Sequence, residues 1–212
     1  MKTRILILLS LIAFSCSSGR KDAAPSTLTM SFLALFKPIT SDTTSVLLQR
    51  DKQEKICGPF TGVLIDSVYW PLMDTVRSIR NSGEGHFYAC YRFALNDTTC
   101  ALVTREPSLY EESNIQLSVF DAKHARCLRR MQLADGLGDA GATFQKFSFI
   151  RFDKGVISIS IRQIQTGPVD DTWQKFSEQD STSNYLLLNN EFVLSNHLKN
   201  RDSTWIYIDS KP

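Results

Sequence analysis

The chain has 212 residues, 42% of them hydrophobic, which is enough for one sizeable core and too little for two independent domains. Its 24 Lys and Arg are nearly balanced by 22 Asp and Glu, a formal net charge of +2. With no basic surplus to hold phosphates through counterion release, nucleic acid is not an expected partner.

Residues 1–15 read MKTRILILLSLIAFS, with Lys2 and Arg4 ahead of an apolar run from Ile5 to Phe14. As a helix that run spans about 15 Å, half of a bilayer core, so it has the size of a signal-peptide hydrophobic region and not of a membrane span. Ser15, Cys16 and the polar SSGRKD follow. The arrangement resembles a bacterial lipoprotein signal of the Bacteroidota type, with Ile12-Ala13-Phe14-Ser15 as a loose lipobox. The resemblance implies cleavage before Cys16, lipidation of that cysteine (palmitate among the acyl chains) and firm attachment, because two acyl signals suffice for stable anchoring. Ser17 in place of Asp after the cysteine implies passage to the outer membrane. The expected location is therefore the cell envelope, with the membrane as a partner through the lipid anchor. Loss of Lys2 and Arg4 leaves the mature chain with 22 basic and 22 acidic residues.

Residues 16–28 are small and polar and read as a flexible tether. Residues 29–212 read as a single β-rich domain. SFLALFKPI suggests a short helix; FTGVLIDSVYW, with Val63 and Ile65, a strand; and PLMDTVRSIR a second helix with Pro71 in its first turn. HFYACYRFAL then alternates, setting Phe87, Ala89, Tyr91, Phe93 and Leu95 on one face and His86, Tyr88, Cys90 and Arg92 on the other. Asn96-Asp97-Thr98 turns it into CALVTR. IQLSVFD, the turn DAKHAR and CLRRMQLA come next. ATFQKFSFIRFD and GVISISIRQI flank Asp153-Lys154-Gly155; NYLLLNNEFVLS turns at Asn189-Asn190; STWIYID ends the series. The pattern predicts an all-β antiparallel meander of roughly eight to ten strands, arranged as a sandwich, barrel or propeller-like sheets, with one or two short helices. In style it resembles other β-rich lipoproteins of the same bacterial group.

Apart from Cys16, the cysteines are Cys57, Cys90, Cys100 and Cys127. An even number in an oxidising compartment permits two disulfides in three connectivities. His124-x-x-Cys127 lacks the second close cysteine that would nucleate a metal site.

DGLGDAG contains Gly136, Gly138 and Gly141 in the spacing of a dinucleotide fingerprint. That fingerprint requires a helix whose N-terminus holds the pyrophosphate, and the Phe- and Ile-dense segment that follows has no helical stripe. The segment reads as a mobile connection between strands, and no cofactor is expected. Asp135 and Asp139 are weak calcium candidates, two carboxylates without EF-hand spacing. Thr166 to Ser183 reads as a long polar loop, and its Asp170, Asp171, Trp173 and Phe176 are the candidates for ligand contact. No nucleophile elbow or zinc-protease motif is present.

The expected function is a non-catalytic envelope module that binds a small ligand or a partner, the partner being an envelope protein or a glycan. The alternative is a hydrolase acting on glycans or peptides through a carboxylate pair set across a cleft. If the signal works as its resemblance implies, radiolabelled palmitate fed to the native host marks the protein, and Cys16→Ser abolishes the label and releases the chain from the membrane fraction; label persisting in the variant would place the anchor elsewhere.

Overall fold

The computed structural model describes residues 24–39, 43–46, 60–73, 85–108, 113–139, 142–153, 156–169 and 175–206. The first element is helix α1 (Thr27–Ala34), capped by Ser26, whose Oγ accepts from the Thr29 N–H at 3.2 Å. Thr27 and Leu28, grouped with the tether on composition, therefore form its first turn. Three short strands follow, β1 (Lys37–Pro38), β2 (Thr43–Val46) and β3 (Val63–Leu64). A 3-10 turn over Ser67–Tyr69, capped by Asp66, leads into α2 (Trp70–Met73). The rest of the helix expected over PLMDTVRSIR lies outside the described residues.

Eight long strands come next: β4 (Tyr88–Ala94), β5 (Thr99–Glu106), β6 (Asn114–Asp121), β7 (Arg126–Asp139), β8 (Ala142–Asp153), β9 (Val156–Pro168), β10 (Lys175–Leu188) and β11 (Glu191–Ile206). Each pairs antiparallel with the next, so the protein is an all-β meander with two short helices. The short strands join it at the side: β1 parallel to β4, β3 antiparallel to β4, and β2 antiparallel to β8. The turns are local. Asn189 and Asn190 take φ of 50° and 67° between paired Leu188 and Glu191, the left-handed pair that a two-residue hairpin turn demands. The strands anticipated at NNEFVLS and STWIYID are one, since β11 runs through both.

Strand β7 divides the meander into two layers. Its residues from Arg126 to Ala134 pair with β6, while Asp135 to Asp139 pair with β8. The β8–β11 layer thereby packs across one face of the β4–β7 layer. The core between them joins Phe93, Val103, Leu117 and Val119 to Ile150, Ile157, Ile159 and Leu187. The opposite face of the β4–β7 layer is covered by the helices, where Phe32, Leu33 and Phe36 with Leu72 and Met73 bury Leu102 and Phe120.

A bulge at Cys90 reconciles β4 with this double burial. Ala89 pairs with Thr104 and Tyr91 with Val103, leaving Cys90 as the extra residue. Phe87 and Ala89 consequently face the helices, whereas Tyr91, Phe93 and Leu95 face the other layer; the single face expected from strict alternation is split in two. Gly62, at φ 65°, sits against the bulge, and a Cβ there would lie 2.9 Å from the Ala89 carbonyl oxygen. Leu117 is fully buried between the layers. Leu117→Ala is expected to cost about 2–5 kcal/mol, read as a lower urea midpoint at unchanged slope.

Candidate functional site

Several residues singled out by sequence have ordinary structural duties. Asp135 accepts from Ser108 Oγ at 3.2 Å, Gln132 Nε2 at 2.7 Å and the Gly136 N–H at 2.9 Å. A carboxylate filled by donors offers little to a calcium ion, and Asp139 is a backbone partner of Ala142 at the end of β7. Among the described residues no group of three His, Cys, Asp or Glu side chains is placed to hold a metal. Gly136 and Gly138 are not in a mobile connection: they pair with Gln145 and Thr143 in the β7–β8 hairpin, and strand β8 stands where a phosphate-binding helix would start. The loop expected from Thr166 to Ser183 is mostly strand as well. Its Ser, Thr and Gln content suits a hairpin polar on both faces, and β9 runs on to Pro168 while β10 begins at Lys175. Phe176 is thus a half-buried strand residue paired with Pro168 and Trp205. Asp170, Asp171, Trp173, Cys57 and Cys16 lie outside the described residues.

No disulfide joins Cys90, Cys100 and Cys127, so the expected bridges are not found among the described residues. Their strands set them apart: Cys90 lies in the bulge and donates to the Phe60 carbonyl at 3.4 Å, and burial pushes its thiol up to about 12. Cys100 lies in β5, where burial, partly offset by the charge of Arg92, lifts its thiol to about 11. Both stay protonated at neutral pH and are poor nucleophiles.

The acids whose ionisation is displaced move downward. Burial alone would raise Asp121, but hydrogen bonds from the His124 ring and N–H and the Lys123 N–H, with the His124 charge, outweigh it. Asp180 is held low chiefly by Arg162, which chelates it through Nε and Nη2, against the cost of burial and with help from Asn200. Glu106, only 2% exposed, accepts from Thr104 Oγ1 at 2.5 Å and from Arg130.

The concave feature with unspent chemistry is elsewhere. Near the end of α1, between the chain at residues 33–39 and the β4–β5 hairpin, the described residues leave a cleft of about 310 Å³. Its sheet-side floor is made of small residues, Ala94, Cys100 and Ala122; Leu33, Pro38 and Ile39 form an apolar wall. Asn96, Asp97 and Thr98 supply a polar rim. That rim is locally fixed, since Asn96 Oδ1 accepts from the Thr98 N–H at 3.0 Å, Thr98 Oγ1 at 3.2 Å and the Thr99 N–H at 2.9 Å. Arg92 also lines the cleft, half-buried; its carbonyl accepts from the Ile39 N–H at 3.0 Å, and its guanidinium makes no hydrogen bond or ion pair with another described side chain. Sequence reasoning passed over this site. Alternation sets Arg92 on one face of a strand with His86, Tyr88 and Cys90 and gives it no role, and the exposure of Ala94 is a tertiary feature. The legible signal was the run of small side chains at 94, 100 and 122 on a face otherwise built from Phe and Leu.

Asp180 gives a pH prediction. Its folded carboxyl sits below the ordinary value, so its contribution is fully present above the unfolded carboxyl pKa and is lost as pH falls through the folded one. Asp180→Asn should lower stability at pH 7 and flatten the decline between pH 5 and 2; urea midpoints across that range measure both, and an unchanged acid limb would contradict the assignment.

Comparison with protein-family models, curated proteins and solved structures finds no match to this chain.

Proposed function

We propose that the protein is an envelope lipoprotein, anchored through Cys16, whose β-rich domain acts as a non-catalytic binding module and takes a small ligand in the cleft beside the β4–β5 hairpin. The observation that carries this reading is the cleft itself: a guanidinium without a described partner above an apolar floor, bordered by a rigid hairpin tip. Its volume is at the lower end of small-molecule sites. The signal-like N-terminus and the neutral charge of the mature chain support the envelope location and a partner other than nucleic acid.

A glycan or peptide hydrolase is less well supported. A glycosidase pair needs two carboxyls facing each other, one of them with a raised pKa, and among the described residues the lining of the cleft has one acid, Asp97. Asp121 and Asp180 are displaced in the opposite sense.

The test is a thermal-shift panel of sugars, short peptides, divalent cations and small organic acids against the mature domain, run beside Ala94→Leu, which fills the exposed floor of the cleft. Binding to the native state alone raises stability by RT ln(1 + [L]/Kd), about 2.7 kcal/mol at 100 times Kd. The expected result is a shift by one class of compound that is lost in Ala94→Leu. No shift with any class, or release of product from glycans or peptides by the purified domain, would overturn the reading.

A further inference from the structure

The cleft that carries the proposed binding function also constrains what can occupy it. We infer that its ligand is a monocarboxylate with a short apolar body, the carboxylate held by Arg92 and the body laid on Ala94 and Ala122. This inference rests on the binding reading above and narrows it to one ligand chemistry.

Charge decides the head group. Among the described residues, Arg92 and Asp97 are the charged side chains of the lining. A dianionic phosphate would meet a single guanidinium, whereas phosphate sites gather several donors or cations, and Asp97 repels a dianion more strongly than a monoanion. A monoanion needs no more than Arg92 supplies, because the guanidinium fork matches a carboxylate through two parallel N–H donors. Arg92 is available for it. No described side chain bonds to it, and the neighbouring Cys100, its thiol held protonated by burial, provides no competing anion.

Shape and polarity decide the body. Leu33, Pro38, Ile39, Ala94 and Ala122 present carbon to the cleft. A sugar would leave most of its hydroxyls against those side chains without partners, a desolvation cost that an apolar body avoids. The rim adds little adaptable hydrogen bonding, since the Asn96 carboxamide oxygen and the Thr98 hydroxyl are already engaged with each other and with the hairpin backbone. That same bonding fixes the tip before any ligand arrives, which lowers the ordering cost of binding.

The experiment is isothermal titration of the mature domain with hexanoate and phenylacetate, with their neutral amides, and with inorganic phosphate, in wild type, Arg92→Gln, Arg92→Lys and Ala94→Leu. Each variant's fold is checked first by circular dichroism. Wild type should bind the acids about 10- to 100-fold more tightly than the amides, the range expected of a charge-assisted hydrogen bond, and should not bind phosphate. Arg92→Gln should erase the preference for acid over amide, Arg92→Lys should retain part of it, and Ala94→Leu should weaken acid and amide alike. If Arg92→Gln does not fold, Arg92→Lys must still show a reduced preference. Equal affinity for acid and amide in wild type, an acid preference that survives Arg92→Gln, or tighter binding of phosphate would overturn the inference. Should the cleft take sugars or peptides but no acid, this inference fails while the binding function stands; should nothing bind, both fail.

Discussion

The β4–β7 layer is apolar on both faces, and the rest of the architecture follows from having to cover each of them. Strand β5 shows it plainly: Ala101 and Val103 point into the inter-layer core while Leu102 points toward the helices, and all three are buried. One face is closed by the β8–β11 layer and the other by α1 and α2. Both coverings are far from β5 in sequence, so β7 has to bend at Ala134–Asp135 to carry the chain from one layer into the next. Strand β4, at the side of the layer, meets the same demand with its bulge at Cys90. The helical cover is the shorter of the two. Among the described residues it ends at the β4–β5 hairpin, where the cleft lies.

Beyond the packed region the hairpins β8–β11 extend as ribbons with polar groups on both faces, and cross-strand pairing of charges takes over from burial. Asp180 is the centre of one such set, chelated by Arg162 and bonded by Asn200, with the Arg162 guanidinium lying 5.7 Å over the Phe147 ring. Lys146, Gln132 and Asp135 form another, in which burial holds the lysine below its usual pKa against the pull of Asp135. The last strand of the order, β11, is interrupted where Ser195 and Asn200 have no partner in β10, and it carries Lys199 and Arg201. Bulges and cations on an edge oppose pairing with another chain, which suits a ribbon of this length.

Turn chemistry and alternation made much of the fold legible. Asn96-Asp97-Thr98 and Asn189-Asn190 mark hairpins by turn-forming residues, and the strands on either side of them follow; β8 and β9 likewise pair up to Asp153 and Val156, on either side of the turn expected at Lys154-Gly155. What failed did so for a physical reason in each case. The rule that loops are polar misread Thr166 to Ser183, because paired Ser, Thr and Gln side chains form a ladder whose two faces are both wet. Period-two reading misassigned β4, because one inserted residue reverses every side chain after it. Counting cysteines suggested bridges, but spacing says nothing of which sheet face each thiol meets. The cleft was the least legible feature, since it depends on where one layer ends over another, and no local pattern encodes that.

A sequence selected for stability alone would not leave this corner as it is. Ala94 is exposed at the floor of a depression where a Leu would find apolar neighbours, and burying such a side chain typically contributes about 1.5–3 kcal/mol. Arg92 stands half-buried beside it, and among the described residues no carboxylate lies within ion-pair distance of it. The half-buried Arg105 donates to the Phe60 and Thr61 carbonyls and the half-buried Arg130 to Glu106, so the fold has the means to satisfy a guanidinium. Stability left unused at a concave, preorganised place is the usual mark of a site kept open for something else. On the proposed binding reading, one occupant would supply both carbon for the small floor and a negative charge for Arg92.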